Sequence, residues 1–117
     1  MDRLQAGQSL KKGESLQSAN GQYTLILQED GNLVIYTQGR ATWDSKTAGK
    51  AVSHAILQSD GNFVIYGYPN AIFDTGTTGW INPFLVMQDD GNLVLYGWKA
   101  AWDSNHHRMQ RNVLVNR

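Results

Sequence analysis

Every odd position flanking the turn is apolar along three stretches of the chain, 25–36, 55–66 and 85–96, and each stretch is interrupted once, at a turn ending in glycine. That period of two marks short, half-buried strands joined by hairpins, and little helix is expected. The breaks are Glu29-Asp30-Gly31, Ser59-Asp60-Gly61 and Asp89-Asp90-Gly91. Glycine in third place suits a three-residue hairpin loop, whose last residue takes a left-handed conformation. Gln28 then pairs with Asn32, and the faces follow, because paired residues on an antiparallel hairpin point the same way. The odd positions are Leu25, Leu27, Leu33, Ile35, Ala55, Leu57, Phe63, Ile65, Leu85, Met87, Leu93 and Leu95. All are apolar, as a buried face requires. A two-residue loop would turn Gln28 into the core. The even face carries Gln28, Asn32, Val34, Tyr36 and their counterparts.

The three stretches are copies of one another. Leu27 to Tyr36 recurs at Leu57 to Tyr66 and at Met87 to Tyr96, thirty residues apart each time. An aromatic, an aspartate and a hydroxyl residue follow each copy: Trp43-Asp44-Ser45, Phe73-Asp74-Thr75 and, one residue early, Trp102-Asp103-Ser104. Thirty residues are too few for a domain, so three units are expected to share one core about a pseudo-threefold axis. Residues 1–117 then form a single domain with motifs at 28–36, 58–66 and 88–96, completed by residues 1–20 and 108–117.

Composition narrows the function. A formal net charge of zero leaves no electrostatic footprint for nucleic acid or an anionic membrane. With no cysteine there are no disulfides or thiolate metal sites, which fits a reducing compartment. Met1-Asp2-Arg3-Leu4-Gln5 carries no apolar leader segment, and no run approaches a membrane span. The expectation is a cytoplasmic or non-classically secreted protein without membrane insertion.

The even face reads as a pocket. Straight strand geometry would separate Gln28 from Tyr36 by roughly 26 Å, but folding at the loop leaves only about 13 Å, which long side chains can close. Glutamine, asparagine and tyrosine donate and accept while aspartate accepts, which matches vicinal sugar hydroxyls, and Val34 offers an apolar contact for ring carbons. The loop residue at 29, 59 and 89 varies between copies, whereas Gln, Asn, Val and Tyr do not. A merely solvated face would not select those positions. Asp30 is favoured in a turn for backbone reasons alone, and the hairpin does not fix where its side chain points.

Gln28-x-Asp30-x-Asn32-x-Val34-x-Tyr36, with Gln58, Asp60, Asn62, Val64, Tyr66 and Gln88, Asp90, Asn92, Val94, Tyr96, resembles the QxDxNxVxY signature of the snowdrop-type (bulb-type, monocot) mannose-binding lectins. The resemblance covers essentially the whole chain. It implies an all-β, β-prism II fold of three four-stranded antiparallel sheets and a mannose pocket on each, with no cofactor. In the family, Asp and Asn contact the axial 2-hydroxyl, Gln the 3-hydroxyl and Tyr the 4-hydroxyl, while Val packs on the ring. The resemblance places Trp43, Phe73 and Trp102 in the central core. It also implies a homodimer formed by exchange of a C-terminal strand, for which Asn112-Val113-Leu114-Val115-Asn116 is a β-prone run. The chain lacks the disulfide of many secreted relatives.

Catalysis finds no support in the sequence. Glycosidases generally need two carboxyl groups flanking one bond, and each unit offers one aspartate in its motif. There is no GxSxG elbow, HExxH helix or phosphate loop. His106-His107 fits an exposed loop better than a metal site. The alternative to a lectin is a protein-interaction or toxin-like module, of the bacteriocin or defence kind, on the same scaffold. One further expectation concerns Gln38, Tyr68 and Trp98, two residues past each tyrosine. If the strands continue that far, these residues share the pocket face, and two readings stand side by side: the two aromatics extend the second and third pockets, or they pack in the core or at a dimer contact.

Overall fold

The computed structural model describes residues 1–100 and 107–115. These form twelve strands and no helix: β1 (Arg3–Gln5), β2 (Ser9–Lys11), β3 (Ser15–Gln17), β4 (Tyr23–Leu27), β5 (Leu33–Thr37), β6 (Arg40–Asp44), β7 (Val52–Leu57), β8 (Phe63–Gly67), β9 (Ala71–Asp74), β10 (Ile81–Met87), β11 (Leu93–Ala100) and β12 (His107–Val115). They make three four-stranded antiparallel sheets: a first of order β3-β4-β5-β6, a second β2-β7-β8-β9 and a third β1-β10-β11-β12. The all-β, three-sheet architecture is the expected one.

Each central hairpin has the anticipated register. Leu27 opposes Leu33, Leu57 opposes Phe63 and Met87 opposes Leu93. The amides of Gln28, Gln58 and Gln88 donate to the carbonyls of Asn32, Asn62 and Asn92 at 2.8, 2.8 and 3.0 Å, closing a three-residue loop. Every odd-position residue named above is at most 2% exposed. Leu33, Phe63 and Leu93, thirty residues apart, meet around one small cavity, so the three sheets converge on a common interior.

The N-terminal segment has an organisation that period-two reasoning does not show. Leu4, Leu10 and Leu16 stand six residues apart, each buried, and face Leu85, Ala55 and Leu25 in the third, second and first sheets. Between them the chain turns at Gly7 and Gly13, whose φ angles are 88° and 91°. The Gln8 and Glu14 side chains accept from the Gln5 and Lys11 amides at 2.7 Å, so the two turns are alike. One winding ribbon thereby gives an edge strand to each sheet.

The fourth strands differ. β6 and β9 follow their hairpins directly, so Val34 and Val64 face Asp44 and Asp74. In the third sheet the fourth strand is β12, and Val94 faces Val113. His107, expected in an exposed loop, instead opens β12 opposite Ala100, because the backbone there continues the ladder of β11. Trp43 and Phe73 pack against the core edge to face, with ring centroids 6.2 Å apart. Trp102-Asp103-Ser104 and His106 lie outside the described residues.

Candidate functional site

In all three sheets the folded loop brings the motif glutamine within reach of the motif tyrosine. Gln28, Gln58 and Gln88 donate through Nε2 to the hydroxyls of Tyr36, Tyr66 and Tyr96, the last at 2.7 Å. A phenol that accepts from an amide keeps its own proton to donate outward. In the third copy Gln88 Oε1 is buried and has no hydrogen-bond partner among the described residues.

The aspartate, whose direction the hairpin alone leaves open, has a backbone task. Oδ1 of Asp30, Asp60 and Asp90 accepts from the amide of Asn32, Asn62 and Asn92 at 2.9 Å, the turn-closing bond typical of aspartate two residues upstream. Glycine follows by necessity. At Gly31, φ is +90°, and a Cβ would lie 2.7 Å from the Lys50 carbonyl; at Gly61, φ is +95°, and the Thr77 carbonyl would be 2.8 Å away.

The asparagine is held by residues that sequence reasoning left without a task. Asn32 Oδ1 accepts from Ser45 Oγ and the Thr47 amide, both at 3.2 Å, and its Nδ2 donates to Asp44 Oδ2 at 2.8 Å. Thr47 Oγ1 donates to the Gly31 carbonyl at 2.7 Å, tying the same segment to the loop. The second sheet repeats this with Thr75, Thr77 and Gly61, although Asp74 there accepts from the Gly76 amide. The Asn32 amide, assisted by Lys46 and opposed by burial, holds the Asp44 carboxyl below the usual aspartate value. The signal for this support was the aromatic-Asp-hydroxyl triplet, with threonine two residues later in the first two copies.

The result in the first sheet is an open hollow of about 480 Å³. Gln28, Asn32, Val34 and Tyr36 line it together with Thr42, Asp44 and Lys46, while Asp30 stays on the exposed loop beside it. Val34 is only 3% exposed, since Ile26 and Asp44 flank it on the neighbouring strands, so it offers a narrow apolar floor. The condition for an aromatic extension, a strand that continues two residues past the tyrosine, is met in one copy. Trp98 lies within β11, whereas Tyr68 lies past the end of β8 and is 73% exposed, and Gln38 occupies a turn with φ of 51°.

No protein-family model matches the sequence. Among curated relatives, a mannose-specific lectin of Narcissus pseudonarcissus is 44% identical over 46 residues, and the match spans 39% of this chain and 40% of that protein. Similarity to solved structures runs further. A domain-swapped lectin dimer from Mycobacterium smegmatis is 52% identical, with 83% of this chain and 92% of that chain covered at a TM-score of 0.58. The snowdrop (Galanthus nivalis) mannose-specific agglutinin, solved with methyl-α-D-mannoside, is 34% identical over 91% of this chain and 98% of its own, with a TM-score of 0.77. A monomeric monocot mannose-binding lectin from Gastrodia elata is 41% identical, with 92% of this chain and 93% of that chain covered at a TM-score of 0.74. With the repeated motif, the three sheets and this coverage, the chain belongs to the snowdrop-type family of monocot mannose-binding lectins, the β-prism II lectins.

Proposed function

We propose that the chain is a lectin that binds mannose and mannose-rich glycans, without catalysis, through three pockets on one 117-residue unit. The pocket residues are Gln28, Asp30, Asn32, Val34 and Tyr36, with their equivalents thirty and sixty residues on. One observation carries the reading: in each sheet a glutamine-tethered tyrosine and an aspartate-closed asparagine converge on the same face. Such groups present both donors and acceptors to a pyranose, and the snowdrop agglutinin of the same fold was solved with methyl-α-D-mannoside. About twelve heavy atoms at roughly 0.3 kcal/mol each give about 4 kcal/mol, a millimolar constant for free mannose. Branched glycans whose arms span two pockets bind more tightly through effective concentration. A glycan array with free-mannose competition tests this. Signals on high-mannose glycans that mannose abolishes support it; an array silent for mannose points to the protein-interaction or toxin-like alternative.

A homodimer formed by exchange of β12 is part of the proposal. β12 is the terminal strand of the third sheet, and a second copy can supply the same strand with the same pairing at little cost. The Mycobacterium smegmatis lectin supports it: it is described as domain-swapped, and its superposition is poorer than that of less identical relatives. That combination is expected where like sequences distribute one strand differently. Light scattering should give a dimer, and removal of 107–117 a monomer or insoluble protein. A monomer at high concentration refutes exchange and leaves sugar binding intact.

A further inference from the structure

The third sheet carries a second hollow, of about 450 Å³, that contains none of the fifteen motif residues. Arg3, Gln5, Ala6, Asn82, Pro83 and Phe84 line it, and it nearly equals the first pocket in size. We propose that this groove is a subsite for a second pyranose of a glycan whose mannose occupies the third pocket; the inference rests on the mannose-binding reading above.

Phe84 joins the two sites. It pairs across the strands with Tyr96, and the two rings stack with centroids 5.1 Å apart and planes 16° from parallel. The groove thus begins one ring-width from the tyrosine of the third pocket, a spacing suited to adjoining sugars. Its chemistry is that of a sugar site: the edge of an aromatic ring, whose faces are covered by Tyr96 and Arg3, for apolar contact with a pyranose, with amide side chains and a guanidinium at the rim for hydroxyls. The Arg3 guanidinium lies 5.6 Å from the Phe84 ring centre and is held by Asp2 at 3.0 Å, so its charge is already balanced and a neutral ligand suits it.

The shape has a backbone origin. The register between β10 and β11 slips between Ile81 and Phe84, and within the slip Asn82 takes a left-handed φ of 49°. Bulges of this kind re-aim side chains at the margins of sheets, and non-glycine residues at positive φ cluster at binding sites. The corresponding partners of Tyr36 and Tyr66 are Thr24 and His54, and His54 is bonded to Ser53. A ring beside the tyrosine therefore separates the third site from the first, while in the second the His54 ring stacks on Tyr66 with centroids 5.5 Å apart; what the third site has alone is a non-glycine residue, Asn82, at positive φ within the slip.

The test uses the full chain with Asn32→Ala and Asn62→Ala together, leaving the third pocket as the mannose site, titrated with methyl α-mannoside and with a linear α-mannotriose. Ala6→Trp fills the groove without touching Tyr96; Phe84→Thr installs the residue of the first sheet. Both should weaken the trisaccharide about three- to tenfold, the range of one aromatic contact, while Ala6→Trp leaves the monosaccharide constant unchanged. In NMR spectra the side-chain amides of Gln5 and Asn82 should shift with mannotriose and not with methyl mannoside. Trisaccharide binding indifferent to Ala6→Trp, or amides unmoved by mannotriose, overturns the subsite while mannose binding stands. A background that binds neither sugar overturns the third pocket and the subsite with it, and a parent chain that also binds neither overturns the mannose reading as a whole.

Discussion

Thr47 is 2% exposed and ties the outer segment of the first sheet to the loop that carries Asp30. Thr47→Val keeps the shape and removes the hydroxyl. Its Oγ1 bond to the Gly31 carbonyl, 2.7 Å long, and its 2.7 Å contact with Ser45 Oγ both disappear. Ser45 Oγ retains bonds to the Leu33 amide and Asn32 Oδ1, so the main cost is a buried carbonyl deprived of a donor, about 1–3 kcal/mol. For a chain of this length, a central loss of about 2 kcal/mol lowers Tm by about 8 °C. The Thr47 amide still donates to Asn32 Oδ1, so the first pocket keeps its asparagine, and mannoside affinity should change by less than about threefold, under 0.7 kcal/mol. Thr47→Ser keeps the hydroxyl and loses only a methyl, at about 0.8 kcal/mol. The assay is urea unfolding of both variants, beside calorimetric titration of methyl mannoside in a background carrying Asn62→Ala and Asn92→Ala. Thr47→Val proving at least as stable as Thr47→Ser would refute the assignment of that hydroxyl as the loop's tether.

Asn32→Ala, Asn62→Ala and Asn92→Ala should each remove one mannoside site by calorimetry; an unchanged stoichiometry in any of them excludes that pocket. Gly61→Ala meets both a left-handed φ and a carbonyl 2.8 Å away, so it should cost well over the ~1 kcal/mol of Gly39→Ala, where φ is also positive but nothing lies within 4 Å; comparable denaturation midpoints would contradict this. The Asp44 carboxyl, held below its usual range first by Asn32, contributes fully above the unfolded value of about 3.9. That contribution is lost as pH falls through the lower folded value. Protonation of the folded Asp44 also weakens its hold on Asn32, so first-pocket affinity should stay level from pH 7 down to the ordinary aspartate value of about 3.9 and decline only below it. Asp44→Asn should abolish this acid limb, and an identical decline in that variant would show that another group titrates.

The hairpins were legible because two local rules agree at each of them: glycine third in the loop, and apolar residues at every odd position. One register satisfies both. The support behind Asn32 was not legible, since Asp44, Ser45 and Thr47 reach it from twelve to fifteen residues away, across a strand pair. Periodicity within one strand carries no information about that. Tyr68 and Trp98 share the same parity, yet only Trp98 lies in its strand: β8 stops at Gly67 while β11 runs to Ala100. Parity assigns a face only while the ladder lasts. Leu4, Leu10 and Leu16 escaped notice because each sits alone in a three-residue strand, too short for alternation to register.

The winding of that N-terminal ribbon sets an order of assembly. Leu16 meets Leu25 almost at once along the chain, Leu10 must wait for Ala55, and Leu4 for Leu85. Closing a longer loop costs more chain entropy and takes more time. During synthesis the first sheet has all its strands once residue 44 has emerged, whereas the third takes strands from both extremities and needs residues up to 115. Premature termination or fraying at either end thus falls on the third site first, and a truncated chain keeps the means to build the first.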